Sequence, residues 1–169
     1  QLYSGYCTLR CEGSIIDELY AQRVLAIDSL KSTLEQAGLD PENTIPPTGY
    51  ALLIDAKADS HTGLARRIAD TDHLTPIAGH RNKPVYGIMA RNVQQTMALD
   101  LLMDDDIRLI SLIGSAGTGK TLLALAAGMS KTFGAEARYD KLLVARPIMP
   151  MGRDIGYLPG DKDEKLVQW

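Results

Sequence analysis

Eight residues past the middle of the chain, Gly114-Ser115-Ala116-Gly117-Thr118-Gly119-Lys120-Thr121, fit the pattern G-x-x-x-x-G-K-[ST]. Four fixed identities at fixed spacing are hard to meet by accident. At ordinary residue usage a chain of this length matches roughly 0.5% of the time. The chemistry of such a loop is phosphate binding. Gly114, Gly117 and Gly119 are expected to turn the backbone at positive φ and let it approach phosphate oxygens with no Cβ in the way. Successive N–H groups, those of Ser115, Ala116 and Thr118 among them, then form a concave nest, reinforced by the partial positive charge where the next helix starts. Lys120 is spaced to reach the β and γ phosphates, and the Thr121 hydroxyl to ligate Mg²⁺. A glycine-rich turn with a merely structural role does not require Lys-Thr at the helix start. The implied ligand is a nucleoside triphosphate with Mg²⁺.

The flanking elements must position that loop. Residues 107–113, an apolar run between Asp104-Asp105-Asp106 and Gly114, read as a buried parallel strand. After the loop, strong helix formers put Leu122, Leu125, Ala126, Met129 and Phe133 at helical spacing. Upstream, Arg91-Asn92-Val93-Gln94-Gln95 opens a helix whose expected buried stripe is Val93, Met97, Ala98, Leu101 and Leu102. Residues 141–145 read as a second buried strand running into Arg146-Pro147. The Gly- and Pro-rich stretch 148–160 follows as a loop at the carboxyl edge of the sheet, where open α/β folds bind ligands. Before this half, residues 14–38 read as one helix, with Ser14 and Asp17 as its cap, Leu30, Leu34 and Ala37 on one face, and Gly38 at its end. Residues 40–49 are loop. Strands are expected at 50–54, 63–68 and 74–77.

Length and composition bound the class. The chain has 169 residues, 45% hydrophobic and 23% charged, enough for one core or a domain and part of another. No apolar run approaches a membrane span and no signal pattern opens the chain, so the expected location is cytoplasmic. All of the net charge of −3 lies before residue 86, where eight basic residues face eleven acidic ones. No basic stripe advertises non-specific nucleic-acid binding, so any such contact must come from a few placed residues. Cys7 and Cys11 are the two cysteines, four apart, an awkward spacing for a disulfide within one helix-like turn; they read as ordinary reduced thiols. Starting without methionine and stopping after a charged run, the chain reads as an internal piece of a longer protein.

The segment from Gly87 to Trp169 resembles the PhoH-like ATPase family. The resemblance is carried by residues 91–99, the phosphate loop, residues 142–147 and, most specifically, residues 149–165, which contain Arg153, Gly156, Tyr157, Pro159 and Gly160. It implies an α/β fold with a partial RecA-like core, a parallel sheet flanked by helices, over residues 86–169. Residues 1–85 would be a smaller mixed α+β segment, the end of an upstream domain plus a β-rich connector. The last motif looks like the subgroup fused to a PIN ribonuclease domain, although no acidic nuclease cluster is recognisable here.

The same resemblance implies ATP binding and hydrolysis coupled to RNA processing, with single-stranded RNA and a second copy of the chain as partners. Gln95 would read the adenine; Asn92-x-x-Gln95 is also a capping pair for its own helix, and both can hold together. Arg146, Arg153 and Tyr157 would contact nucleic acid. Arg146 also reads as a solvated strand end, and Arg153-Asp154 as an internal ion pair. Lys120 and Thr121 would be catalytic. The acid that orders Mg²⁺ and water is expected beyond Trp169, so these 169 residues alone should be inactive. Asp55, after the apolar residues 51–54, has the form of that acid but lies on the wrong side of the loop. Asp104 to Asp106 read as a solvated turn rather than a metal site. Two rival readings stay open: a nucleotide-dependent binding or regulatory module without turnover, and a small-molecule kinase built on the same loop.

Overall fold

The computed structural model describes residues 5–40, 44–69, 71–77, 83–135 and 137–145. A five-stranded mixed sheet is formed by β1 (Tyr6–Cys11), β2 (Leu25–Ala26), β3 (Tyr50–Asp55), β4 (Thr62–Arg67) and β5 (His73–Pro76), in the order β1-β3-β4-β5-β2. Four α-helices accompany it: α1 (Gly13–Gln22), α2 (Lys31–Gln36), α3 (Val93–Met103) and α4 (Lys120–Phe133). The class is α/β. β1 and β3 run parallel with Tyr6 opposite Tyr50 and Cys11 opposite Asp55; the other pairings are antiparallel.

Apolar side chains decide the layers. Leu9, Ile16, Leu19, Leu25, Leu30, Leu34 and Leu53 are all at or below 1% exposure and make one core between the sheet and helices α1 and α2. Each such side chain contributes on the order of 1.5–3 kcal/mol of burial. A second core joins Val85, Leu99, Leu123, Ala126 and Ala127, packing α3 on α4. A third, of Tyr50, Leu64, Ile77 and Met97, packs α3 on the sheet.

The strands at 50–54, 63–68 and 74–77 stand within a residue or two of their expected bounds. The single helix over 14–38 does not. It breaks at Arg23, which caps α1 in the left-handed region at φ 62°. There Leu25 and Ala26 leave to pair with Leu74 and His73 of β5, and a 3-10 turn at Ile27–Leu30 leads into α2. Pairing at the sheet edge outweighs the local preference to stay helical. Ser14 does not cap α1, because the helix already starts at Gly13 after an extended Glu12. A Cβ on Gly13 would run into the Asp55 carboxylate, so a larger residue at that start would have to displace it from His61. Leu30 and Leu34 are buried but Ala37 is exposed, since α2 ends at Gln36. Gly38 closes it at φ 67° as expected, its N–H donating to the Glu35 carbonyl while Leu39 N–H reaches Leu34. Cys7 and Cys11 lie on β1 rather than in a helix-like turn. Four positions along a strand put them about 13 Å apart, too far for a disulfide, and both thiols are free, Cys11 buried.

Three further corrections concern the second half. Residues 107–113 and 141–145 join no sheet ladder among the described residues. Leu109, Ile113, Leu143 and Val144 are largely exposed, because strand side chains bury only against a paired and covered sheet. The buried face of α4 is Leu123, Ala126 and Ala127, with Leu122 and Phe133 exposed. α3 has not one stripe but two: Val93, Met97 and Leu101 on the sheet side, Ala98, Leu99 and Leu102 on the α4 side. The fully buried Leu99 belongs to the second.

Candidate functional site

The phosphate-type loop enters α4 as its sequence requires. Gly117 sits at φ 77° and Gly119, the N-cap residue, at φ 87°, a region that disfavours side chains with a Cβ. Gly114, expected to share that conformation, is not in the positive region. Gly119 then gives its carbonyl to the Leu123 N–H at 2.9 Å, the first helical bond. Residues 114–118 and Thr121 are exposed, with Gly119 and Lys120 half-buried. Apart from its chain neighbours, no atom lies within 4 Å of where a Cβ on Gly117 would stand.

Lys120 folds back over this loop. Its ammonium donates to the carbonyls of Gly114 at 2.9 Å and Ser115 at 2.7 Å, with the Thr118 hydroxyl at 3.4 Å. Thr118 Oγ1 itself donates to the Ser115 carbonyl at 2.9 Å. A positive charge is thus held over a ring of backbone dipoles with space in front of it, an arrangement that suits an anion with several oxygens.

Gln95 belongs to the same neighbourhood. Asn92 Oδ1 accepts from Gln95 N at 2.9 Å, so the capping pair is formed. The Gln95 side chain does not return to its cap residue, however. Its Oε1 accepts from Arg91 N at 2.8 Å, and its Nε2 donates to the Thr118 carbonyl at 3.2 Å. The sequence brings Gln95 and the loop together only through this fold, and the Thr118 contact was not legible in it. Beside the first turn of α3 opens a cleft of about 270 Å³, lined by Leu52, Arg91, Asn92, Val93 and Gln94 rather than by the loop.

Asp104 to Asp106 are more than a solvated turn: Asp105 and Asp106 are exposed as expected, but Asp104 and Asp105 are also ion-paired. Arg66 on β4 binds Asp100 at 3.1 Å and also Asp104, while Tyr50 donates to Asp100 at 2.7 Å and to the Met97 carbonyl at 3.2 Å. Asp105 pairs with Lys131 at 2.9 Å and Arg138 at 3.0 Å, and Asp106 N donates to Asp104 Oδ1 at 2.9 Å. Burial opposes the charged Asp104 carboxylate, but its bonds from Arg66 and the Asp106 amide win and hold its pKa below the ordinary value. For Asp105 the Lys131 hydrogen bond lowers it. Burial and the neighbouring Asp100 push the Tyr50 hydroxyl far up, so it stays a donor. This junction ties the sheet to α3 and α4; that Arg66 and Tyr50 join the acidic run was not legible in any local pattern.

Asp55 ends β3 in the first core, accepting from Lys57 N at 2.8 Å and facing His61 Nδ1 at 3.0 Å. Among the described residues no group of three or more His, Cys, Asp or Glu is placed to hold a metal ion, and no helix is long and apolar enough to cross a membrane. Arg146, Arg153 and Tyr157 lie outside the described residues.

Comparison with known proteins follows the same residues. The family model described as PhoH-like protein matches residues 87–169. Protein PhoH2 of Bacillus subtilis strain 168 is 41% identical over the whole chain, which covers 36% of that protein. Protein PhoH2 of Mycolicibacterium smegmatis is 35% identical over 93% of the chain, 38% of its own length. Protein PhoH of Escherichia coli K12 is 33% identical over 48% of the chain, 22% of its length. The chain therefore spans little more than a third of the PhoH2 relatives it matches, and no solved structure matches it. With a phosphate loop inside the matched segment, the chain belongs to the PhoH-like protein family.

Proposed function

We propose that residues 86–169 are the nucleotide-binding part of an ATP-hydrolysing PhoH-like protein coupled to RNA processing, with residues 1–85 as the end of an upstream domain plus a β-rich connector. The observation that carries this reading is the loop before α4, with Gly117 and Gly119 left-handed and the Lys120 ammonium poised above its carbonyls. The residues fit a triphosphate: the amides of residues 114–119 make the nest, Lys120 exchanges its carbonyl partners for β and γ oxygens, and Thr121 stands in the first helical turn to ligate Mg²⁺. Mg²⁺, when bound, supplies charge neutralisation of the phosphate chain. The chain's own part is positional and electrostatic, holding the γ-phosphoryl group against fixed donors that need no rearrangement as charge develops.

Gln95, expected at the adenine, stands against the phosphate loop with its side-chain oxygen bonded to Arg91 N and its nitrogen to the Thr118 carbonyl. Arg146, Arg153 and Tyr157 contact single-stranded RNA. The intact protein works in the cytoplasm and self-associates. The test of the core reading is Lys120→Ala in the full-length protein. ATP–Mg²⁺ affinity by calorimetry should fall at least about tenfold, about 1.4 kcal/mol. Equal affinity for variant and parent refutes it.

A further inference from the structure

We propose that Gln95 is a strut of the phosphate loop, acting on the phosphates through the backbone rather than through the base. The inference rests on the nucleotide reading above. Gln95 is pinned at three points before any ligand arrives. Its main chain is fixed by Asn92 Oδ1, its Oε1 by the Arg91 amide, and its Nε2 by the Thr118 carbonyl. The contact with the loop is close, since a Cβ on Gly119 would stand 3.2 Å from Nε2.

The Thr118–Gly119 peptide is a planar trans unit, so its C=O and N–H point to opposite sides. Drawing the Thr118 carbonyl toward the Gln95 amide turns the Gly119 N–H to the opposite side and fixes its direction for a phosphate oxygen. The Thr118 hydroxyl, bonded to the Ser115 carbonyl, holds the same residue from its other side. Without the strut this peptide would be free to flip, and a flipped carbonyl would face the phosphate oxygens. The strut also stands on a fixed base, because Asp100 and Asp104 further along α3 are tied to Arg66 and Tyr50 of the sheet.

A base reader and a strut separate on a ligand that has no base. The experiment uses full-length protein, wild type and the variants Gln95→Ala and Gln95→Glu, titrated calorimetrically with inorganic tripolyphosphate and with ATP, both with Mg²⁺. Thermal melting runs in parallel. One hydrogen bond of this kind is worth about fivefold in affinity. Gln95→Ala should therefore weaken tripolyphosphate and ATP alike by about fivefold, with the melting temperature little changed. Gln95→Glu keeps an acceptor for Arg91 N but sets a carboxylate oxygen against the Thr118 carbonyl, and should weaken both further. If Gln95→Ala binds tripolyphosphate like wild type and loses only its preference for ATP over GTP, the strut is wrong and the nucleotide reading survives. A fall in melting temperature with unchanged tripolyphosphate affinity likewise overturns it. Wild-type protein that binds neither ligand removes the nucleotide reading itself.

Discussion

Arg66→Ala should be among the most damaging single changes outside the apolar cores. Its guanidinium, 18% exposed, bonds Asp100 and Asp104, whose side chains are 19% and 21% exposed. Truncation leaves two carboxylates side by side with their shared cation gone. Breaking a fully buried pair costs about 3–5 kcal/mol. Here water reaches a fifth of each carboxylate, and Tyr50 and the Asp106 amide still donate, so about 2–3 kcal/mol is expected. Urea unfolding reads this directly: at an m-value of about 2 kcal/mol/M the midpoint should fall by roughly 1 M with the slope unchanged. The control is Asp59→Ala, which breaks a pair whose side chains are 59% and 78% exposed; it should cost under about 0.5 kcal/mol. A cycle of Arg66→Ala with Asp104→Ala should show coupling of about 1–3 kcal/mol. Equal midpoints for Arg66→Ala and Asp59→Ala would refute the claim that this junction joins the sheet to α3.

The same junction sets an acid limit. Asp104 and Asp105 have folded pKa values below their ordinary 3.8. Their contribution is therefore complete above about that pH and is lost as pH falls through the lower folded values. Arg66→Ala, by removing the partner that depresses Asp104, should raise the acid-unfolding midpoint followed by circular dichroism between about pH 5 and 2; an unmoved midpoint counts against the pairing. Leu53→Ala, at a fully buried site, should cost about 3 kcal/mol in denaturant unfolding. Leu109→Ala, at 88% exposure, should stay within about 0.5 kcal/mol. Similar losses for both would mean that residues 107–113 are covered after all.

What could be read from the sequence was local. The phosphate loop is a spacing of backbone-permissive and charged residues, and the strands 50–55 and 62–67 are bounded by turn residues. β1 had a readable signal, since Thr8 and Arg10 face out while Leu9 and Cys11 face in, but two cysteines four apart suggested a helical spacing instead. The break at Arg23 carries no glycine or proline. It is imposed by β5, some fifty residues away, and tertiary pairing overrides helix propensity. Arg66 and Asp104 are 38 positions apart and meet only once α3 lies on the sheet. Gln95 and Thr118 meet across 23. Contacts of that kind have no periodicity, so no pattern announces them.

α3 is enclosed by the sheet on one flank and α4 on the other, and of its eleven residues Gln94 alone is exposed. Even Gln94 donates to the Tyr6 hydroxyl of β1 at 3.0 Å. An ordinary surface helix has a wet side on which lineages can drift freely. This one has little, with only Gln94 exposed, so much of the neutral change along α3 should come as paired exchanges with the sheet or α4. A saturation library across residues 93–103 should return a short list of survivors, and the helix should diverge more slowly than the loops on either side of it.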